Sequence, residues 1–371
     1  MAIRVLHVVT QMNRGGLETM IMNYYRNIDR SIIQFDFLTH RPENEKKDYD
    51  DEIKALGGKI YHIPRLNPFS IKYQSELDSF FKNHKEYKVI HVHQDCMSSV
   101  VLKAARKNGV EIRIAHSHSS NQDKGIKYII KAIYKKNIKK EATMLFACGQ
   151  QAGKWMFGTD DFKVLPNAID AKRYSYDKNK REANRNQLGV GDSFVIGHVG
   201  RFSKVKNHKF LIAILSELKK IDDNVKLVLV GEGEERERIQ HMVENKGLGN
   251  NVIFTGIKSN VNEIMQAFDV FVFPSLYEGL PLTMVEAQAA GLPCFISDRV
   301  PSDCKITENV YRISLNENAK KWADKIYSLK DFKRKDTYSE IVNANFDIVQ
   351  NAKYLQKIYI EQWKKVVDED G

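Results

Sequence analysis

The chain of 371 residues is poor in cysteine, proline and tryptophan, with 4, 8 and 3 of them. Cys96, Cys148, Cys294 and Cys304 are scattered without a CxxC, which excludes a disulfide scaffold and a thiolate metal centre. A reducing cytoplasm and no structural metal are expected. No apolar run, of which DVFVFPSL is typical, reaches the roughly 18 to 20 residues that a membrane-spanning helix requires. The opening MAIRVLHVVTQM has no basic region, long apolar stretch or cleavage site of a secretory signal, and already reads as a strand with Arg4 inside it. These absences predict a cytoplasmic protein, soluble or at most peripheral at the inner face of the membrane. Repeats and low-complexity tracts are missing too.

What is present is globular: 42% hydrophobic and 28% charged residues, in a length that favours two cores. The net charge of +11 is lopsided, since residues 1–170 carry 27 Lys+Arg against 19 Asp+Glu. A basic excess suits nucleic acid, an anionic membrane or a phosphorylated small molecule and does not choose among them. No recognisable nucleic-acid module accompanies it, so no nucleic-acid partner is expected.

The first half alternates β-branched segments (RVLHVVT, IQFDFLT, KIYHI, KVIHVH, IRIAHSH, TMLFAC) with amphipathic stretches. Leu17, Met20, Ile21, Tyr24 and Ile28 have helical spacing directly after Gly15 and Gly16, a strand, glycine turn, helix unit. Residues 171–192 lose this rhythm and read as a connector or a short surface helix. Six further strand candidates follow: FVIGHVG, KLVLVGEG, NVIFTG, DVFVFPS, PCFISD and VYRISL. The α/β pattern therefore predicts two doubly wound, Rossmann-like parallel-sheet domains facing across a cleft, residues 1–180 and 181–345. A helix over 346–371 is expected to cross back to the first.

Two segments carry chemistry. In YEGLPLTMVEAQAAGLP, residues 277–293, Glu278 and Glu286 flank a turn that enters a short helix. Gly279 permits an unusual turn, Pro281 suits the first helical position and Gly291 the stop. Amides at such a helix start attract an anion such as a diphosphate, and a carboxylate such as Glu286 accepts paired hydrogen bonds from ribose hydroxyls. An ordinary capped helix with two surface acids has the same spacing. The second segment, GHVGRFSKVKNH, residues 197–208, sets Arg201 and Lys206 in the turn after the first strand of the second half. Two fixed cations there neutralise a departing diphosphate without a metal ion.

These residues resemble the retaining glycosyltransferases of family 4, of GT-B architecture, over essentially the whole chain. The resemblance rests on QMNRGGLET, GRFSKVK, PNAID at 166–170 and EGLPLTMVE, in matching order, and is nearest in character to bacterial enzymes of capsule and exopolysaccharide synthesis. It implies that Arg201 and Lys206 grip the diphosphate of a nucleotide sugar and that Glu286 binds the ribose. Glu278, with the amides of Gly279 and Leu280, would address the transferred sugar and its phosphate, and Gly15 and Gly16 would bring bare backbone to the same groups. The family's PNG is PNA here, with Ala168. The resemblance also implies a first-domain histidine against the donor sugar. IRIAHSHSS offers His116 and His118, which alternation leaves on one side of the strand; His118, nearer the strand end, is preferred. His91 and His93 are read as structural or supporting. A zinc site built from these four histidines is not expected, because the cation pair already answers the electrostatic need.

The implied reaction is metal-independent transfer, with retention, of a hexosyl group from a nucleotide-diphosphate sugar. UDP is favoured over GDP as its nucleotide, the acceptor is a glycan or polyprenyl-linked glycan, and no cofactor is needed beyond the donor substrate. Rival readings are a nucleotide-sugar epimerase or hydrolase of the same fold, and a non-catalytic partner in a polysaccharide assembly complex. Residues 124–141, KGIKYIIKAIYKKNIKKE, place Ile126, Ile129, Ile130, Ile133 and Tyr134 on one helical face and Lys127, Lys131, Lys135 and Lys139 on another. Such a helix suits an anionic membrane surface; a core-packed helix with a solvated lysine face is the alternative.

Overall fold

The computed structural model describes residues 2–119 and 127–370. The chain forms two compact units, residues 1–168 with 348–371, and residues 169–347.

In the first unit the β-branched segments become β1 (Ile3–Val9), β2 (Ile33–Thr39), β3 (Ile60–His62), β4 (Val89–Val92), β5 (Ile112–Ser117), β6 (Met144–Ala147) and β7 (Lys163–Val164). They pair in parallel in the order β3-β2-β1-β4-β5-β6-β7. Period-two alternation divides the side chains of β1. Val5 and Val9 pack with Met20, Tyr24 and Tyr25 of the helix Gly16–Asn27 and with Leu355, Ile358 and Tyr359 of the last helix. Leu6 and Val8 face the opposite layer, with Tyr73, Leu77 and Phe81. Apolar cover on both faces is why these strands read as nearly continuous hydrophobic runs. Arg4, the charged residue inside β1, is matched by the fully buried Asp36 of β2 through two hydrogen bonds of 2.5 Å, Nε to Oδ2 and Nη2 to Oδ1. Asp36 also accepts from the Lys59 amide and the Tyr87 hydroxyl, so its oxygens are satisfied.

The second unit holds β8 (Phe194–Val199), β9 (Val225–Val230), β10 (Val252–Gly256), β11 (Val270–Phe273), β12 (Cys294–Ser297) and β13 (Val310–Ile313), parallel in the order β10-β9-β8-β11-β12-β13. In both sheets the winding reverses once, between β1 and β4 and between β8 and β11. Open parallel sheets bind ligands beyond the carboxyl ends of their strands at such a reversal.

Two expectations are corrected. The boundary lies after Ala168 rather than near 180, and the last helix begins at Ile348. Of the two readings of residues 171–192 the helical one holds, with the helices Ala171–Tyr174 and Lys178–Leu188 in the second unit. Asp170 and Asp177 cap them, and Arg181 and Arg185 pair with Asp269 ahead of β11. Charge there serves as an anchor, which hydropathy cannot reveal. No helix among the described residues is long and apolar enough to cross a membrane.

Candidate active site

At the β8/β11 reversal the chain leaves β8 through Gly200, Arg201 and Phe202. Gly231 and Gly233, at φ +139° and +155°, follow β9, and the carbonyls of Val230 and Glu232 beside them hold this turn. Gly200 N–H donates to Val230 O at 3.0 Å and Phe202 N–H to Glu232 O at 2.9 Å. A Cβ at Gly231 would collide with the Gly200 carbonyl, and one at Gly233 with the Phe202 backbone. The positive φ values and the close approach both require glycine.

The turn then enters a short 3₁₀ segment, Lys204–Lys206, closed by Asn207 at φ +56°. Asn207 Nδ2 donates to Pro274 O at 3.1 Å, and Leu276 N–H donates to Val205 O at 2.8 Å. These bonds dock the turn onto the loop after β11 and bring Lys206 to Glu278: Lys206 Nζ donates to Glu278 Oε1 at 2.7 Å. Both side chains are largely buried, 19% and 12% exposed, and the ammonium also lies 4.6 Å from the centre of the Phe273 ring. Arg201 does not join them. Its guanidinium is 74% exposed and pairs with Glu234 at 3.1 Å.

Beyond Glu278, Gly279 has open space where a Cβ would stand, and Leu280 follows it. Pro281 caps the helix Leu282–Ala289 rather than occupying its first position. The amides of Leu282 and Thr283 precede the first intrahelical bond, from Met284 N–H to Pro281 O, and so belong to the donor-rich end of the helix. Gly291, at φ +67°, stops it. Glu286 does not meet Glu278; its Oε1 accepts from the Tyr174 hydroxyl at 2.9 Å. Burial pushes the Glu286 carboxyl up to about 7, and the Tyr174 bond partly opposes this. Tyr174 is not among the residues singled out from the sequence, because it lies in a polar segment with no apolar rhythm and 112 positions from its partner.

In the first unit Gly15 caps the helix Gly16–Asn27 at an extended φ of −109°, and Gly16 is open to approach. Ala168, the departure from PNG, is fully buried and its carbonyl accepts from Asn23 at 3.4 Å. His116 and His118 do share one side of β5 and its extension, with ring centres 4.1 Å apart, but they belong to a larger group. His7 Nδ1 shares a hydrogen bond with His93 Nε2 at 3.0 Å, and His93 Nδ1 with His118 Nε2 at 2.9 Å. His91 Nε2 shares one with His116 Nδ1 at 3.1 Å, and His91 Nδ1 with the Tyr359 hydroxyl at 2.7 Å. Register explains the grouping, since His7 stands opposite His91 across β1 and β4. Burial lowers all five imidazoles below the usual histidine range. His118 is the partly exposed member, at the strand end.

The model of glycosyl transferases group 1 matches residues 180–344, and that of glycosyltransferase family 4 matches residues 14–173. EpsF of Bacillus subtilis (strain 168), named as a glycosyltransferase, is 36% identical over 96% of both chains. The chain belongs to the family 4 glycosyltransferases. A further relative, the UDP-Gal:α-D-GlcNAc-diphosphoundecaprenol α-1,3-galactosyltransferase of Escherichia coli, is 27% identical over 97% of both chains. The crystal structure of Anabaena Alr3699/HepE in complex with UDP is 18% identical, with a TM-score of 0.79 over 96% of this chain and 100% of that one. Two Rossmann-like parallel sheets are thus the GT-B fold. Within this glycosyltransferase the second unit unites Lys206 with Glu278 and places Glu286 against Tyr174. It leaves Arg201 on a solvent-exposed ion pair.

Proposed function

We propose that the protein transfers a hexosyl group from a UDP-sugar, with retention, to a glycan or polyprenyl-linked glycan during polysaccharide synthesis. The observation that carries this reading is the largely buried Lys206–Glu278 pair beside the helix start at Leu282. Charge develops on the leaving phosphate as the bond to the sugar breaks, and preorganised donors aimed at it supply the largest catalytic term. Lys206 and the amides around Gly279 and Leu280 form that set, with Arg201 swinging from Glu234 to join them. Glu286 accepts the ribose hydroxyls, and Glu278, released from Lys206, addresses the sugar. In the first unit, Gly15, Gly16 and His118 are the candidate donor-contacting residues. Acceptor attack on the face the phosphate leaves, with the phosphate taking the acceptor proton, accounts for retention without a second carboxylate close to the bond. A lipid-linked acceptor agrees with the diphosphoundecaprenol substrate named for the Escherichia coli relative.

Thermal unfolding in a panel of UDP- and GDP-sugars tests the donor assignment. One UDP-sugar raises the melting temperature, and Lys206→Gln abolishes the shift. Equal stabilisation by GDP-sugars overturns the choice of nucleotide, and no stabilisation by any donor overturns the reading.

The helix Lys127–Glu141 is proposed to rest on an anionic membrane; residues 124–126 of the expected segment lie outside the described residues. Its apolar face is not wholly packed. Ile129 and Ile133 are 68% and 57% exposed, whereas Ile138 is buried and Lys135 lies 4.1 Å over the Trp155 ring. Exposed isoleucines beside exposed Lys136, Lys139 and Lys140 suit a bilayer surface. Co-sedimentation with vesicles containing anionic lipid is expected to fall for Ile129→Ser/Ile133→Ser and for Lys136→Gln/Lys139→Gln/Lys140→Gln; undiminished binding by both sinks the proposal.

A further inference from the structure

The histidine group of the first unit is larger than the donor site needs: one imidazole against a sugar does not require four more behind it. Burying five imidazoles is costly unless their polar atoms are satisfied, yet the Nε2 atoms of His7 and His116 have no hydrogen-bond partner. His7 Nε2 has an alternative, since its ring lies 4.1 Å from that of Phe35 and an N–H can rest on an aromatic face. His116 Nε2, in a side chain 1% exposed, makes no well-formed hydrogen bond and has only the Leu165 backbone beside it. One ring nitrogen each from His93, His116 and His118 lies within 4.8 Å of those of the other two.

We propose that His93, His116 and His118 bind a divalent transition-metal ion of the zinc type at the carboxyl ends of β4 and β5. The surroundings match what such ligands require, because a metal-bound histidine is oriented by a partner on its other nitrogen. Ligation through His93 Nδ1 puts its proton on Nε2, where His7 Nδ1 accepts it at 3.0 Å. Ligation through His116 Nε2 leaves Nδ1–H, which His91 Nε2 accepts at 3.1 Å; His91 then donates from Nδ1 to the Tyr359 oxygen at 2.7 Å. Ligation through His118 Nε2 leaves its Nδ1 for another partner, so the ion and a role for His118 toward a donor sugar do not compete for the same atom.

Spacing is near what is needed. His93 Nδ1 and His118 Nε2 are 2.9 Å apart, and zinc with bonds of about 2.0–2.1 Å in tetrahedral geometry separates its ligands by about 3.3–3.4 Å. A ring displacement of about 0.4 Å closes the difference. The overlapping set His7, His91 and His93 also has nitrogens within 4.8 Å, but all three side chains are buried. His118 is partly exposed and gives an ion a way in. Three imidazole ligands with an open position suit zinc and its neighbours rather than magnesium or calcium, which prefer oxygen.

The test uses untagged full-length protein stripped with a chelator and titrated with Co²⁺, then with Zn²⁺. The expected result is visible ligand-field absorption saturating at one Co²⁺ per chain, displacement by Zn²⁺, and a raised melting temperature with either ion. His118→Gln and His116→Gln abolish the absorption, and His7→Gln weakens binding about 10- to 100-fold as loss of an outer partner should. Circular dichroism checks each fold; if His116→Gln does not fold, His118→Gln at the partly exposed position decides. Absence of saturable absorption, or absorption that survives in His118→Gln, overturns the site and leaves the group as a hydrogen-bonded array only. Because the readout needs no turnover, it stands apart from the transferase reading.

Discussion

Lys206 Nζ donates to Glu278 Oε1 at 2.7 Å while lying 4.6 Å from the centre of the Phe273 ring. The two ions satisfy each other where neither has much water, so under the proposed function the donor diphosphate would exchange places with the carboxylate. Lys206→Gln is expected to lower kcat by about 100- to 1000-fold, in the range for loss of one preorganised donor to a developing anion. It also strands Glu278 in a largely dry position. Lys206→Met combined with Glu278→Gln should therefore unfold at higher denaturant than either single variant while remaining inactive. Denaturant melts of the four proteins check this, and additive losses of stability would contradict the coupling.

Donor binding should follow the ionisation of Glu286. A carboxylate accepts both ribose hydroxyls and a carboxylic acid does not, so affinity for the UDP-sugar is expected to rise as pH passes through about 7. Calorimetric titration from pH 5.5 to 8.5 measures this. Stability moves the opposite way. The folded-state value is raised above the ordinary carboxyl value of 4.5, so between 4.5 and 7 the unfolded chain holds fewer protons than the folded one and stability falls as pH rises. At about 1.4 kcal/mol per unit this amounts to roughly 3 kcal/mol at most. Glu286→Gln should lack the decline and be the more stable protein at pH 8, with donor binding lost.

Tyr174→Phe separates burial from hydrogen bonding at the same carboxyl. The hydroxyl bond favours the charged form, so its removal should move the pH midpoint of donor binding upward by about one unit, the size expected for a hydrogen bond to a charged group. An unchanged midpoint would show that this bond does not hold the carboxylate.

Asp36→Asn tests a purely structural pair. It leaves the Arg4 guanidinium, 27% exposed, without its buried counter-charge, and a loss of about 3 kcal/mol is expected from urea unfolding. Donor affinity in the folded fraction should not change.

Most strands were legible because parallel strands covered on both faces are apolar throughout, whereas β7, two residues long, offered no periodicity to read. The helices of 171–188 were hidden for the opposite reason: their anchoring residues are arginines whose partner, Asp269, lies far along the chain. Local spacing singled out Lys206 and Glu278, which the fold brings into one hydrogen bond. It could not foresee that Arg201 pairs with Glu234, nor that Tyr174 reaches Glu286 across 112 positions. The two His-x-His pairs stood out in sequence, but His7 sits alone among apolar residues in β1, and only strand register adds it to the group.

The last helix supplies Leu355, Ile358 and Tyr359 to the core of the first unit, beside residues encoded near the start of the chain. A ribosome thus completes the entire second unit before releasing the piece that closes the first. Until then β1 and β2 lack part of their covering layer and the ring of His91 lacks its phenolic partner. The earliest segment synthesised is the last to finish folding, and a fragment ending at Ala168 should need help to stay in solution.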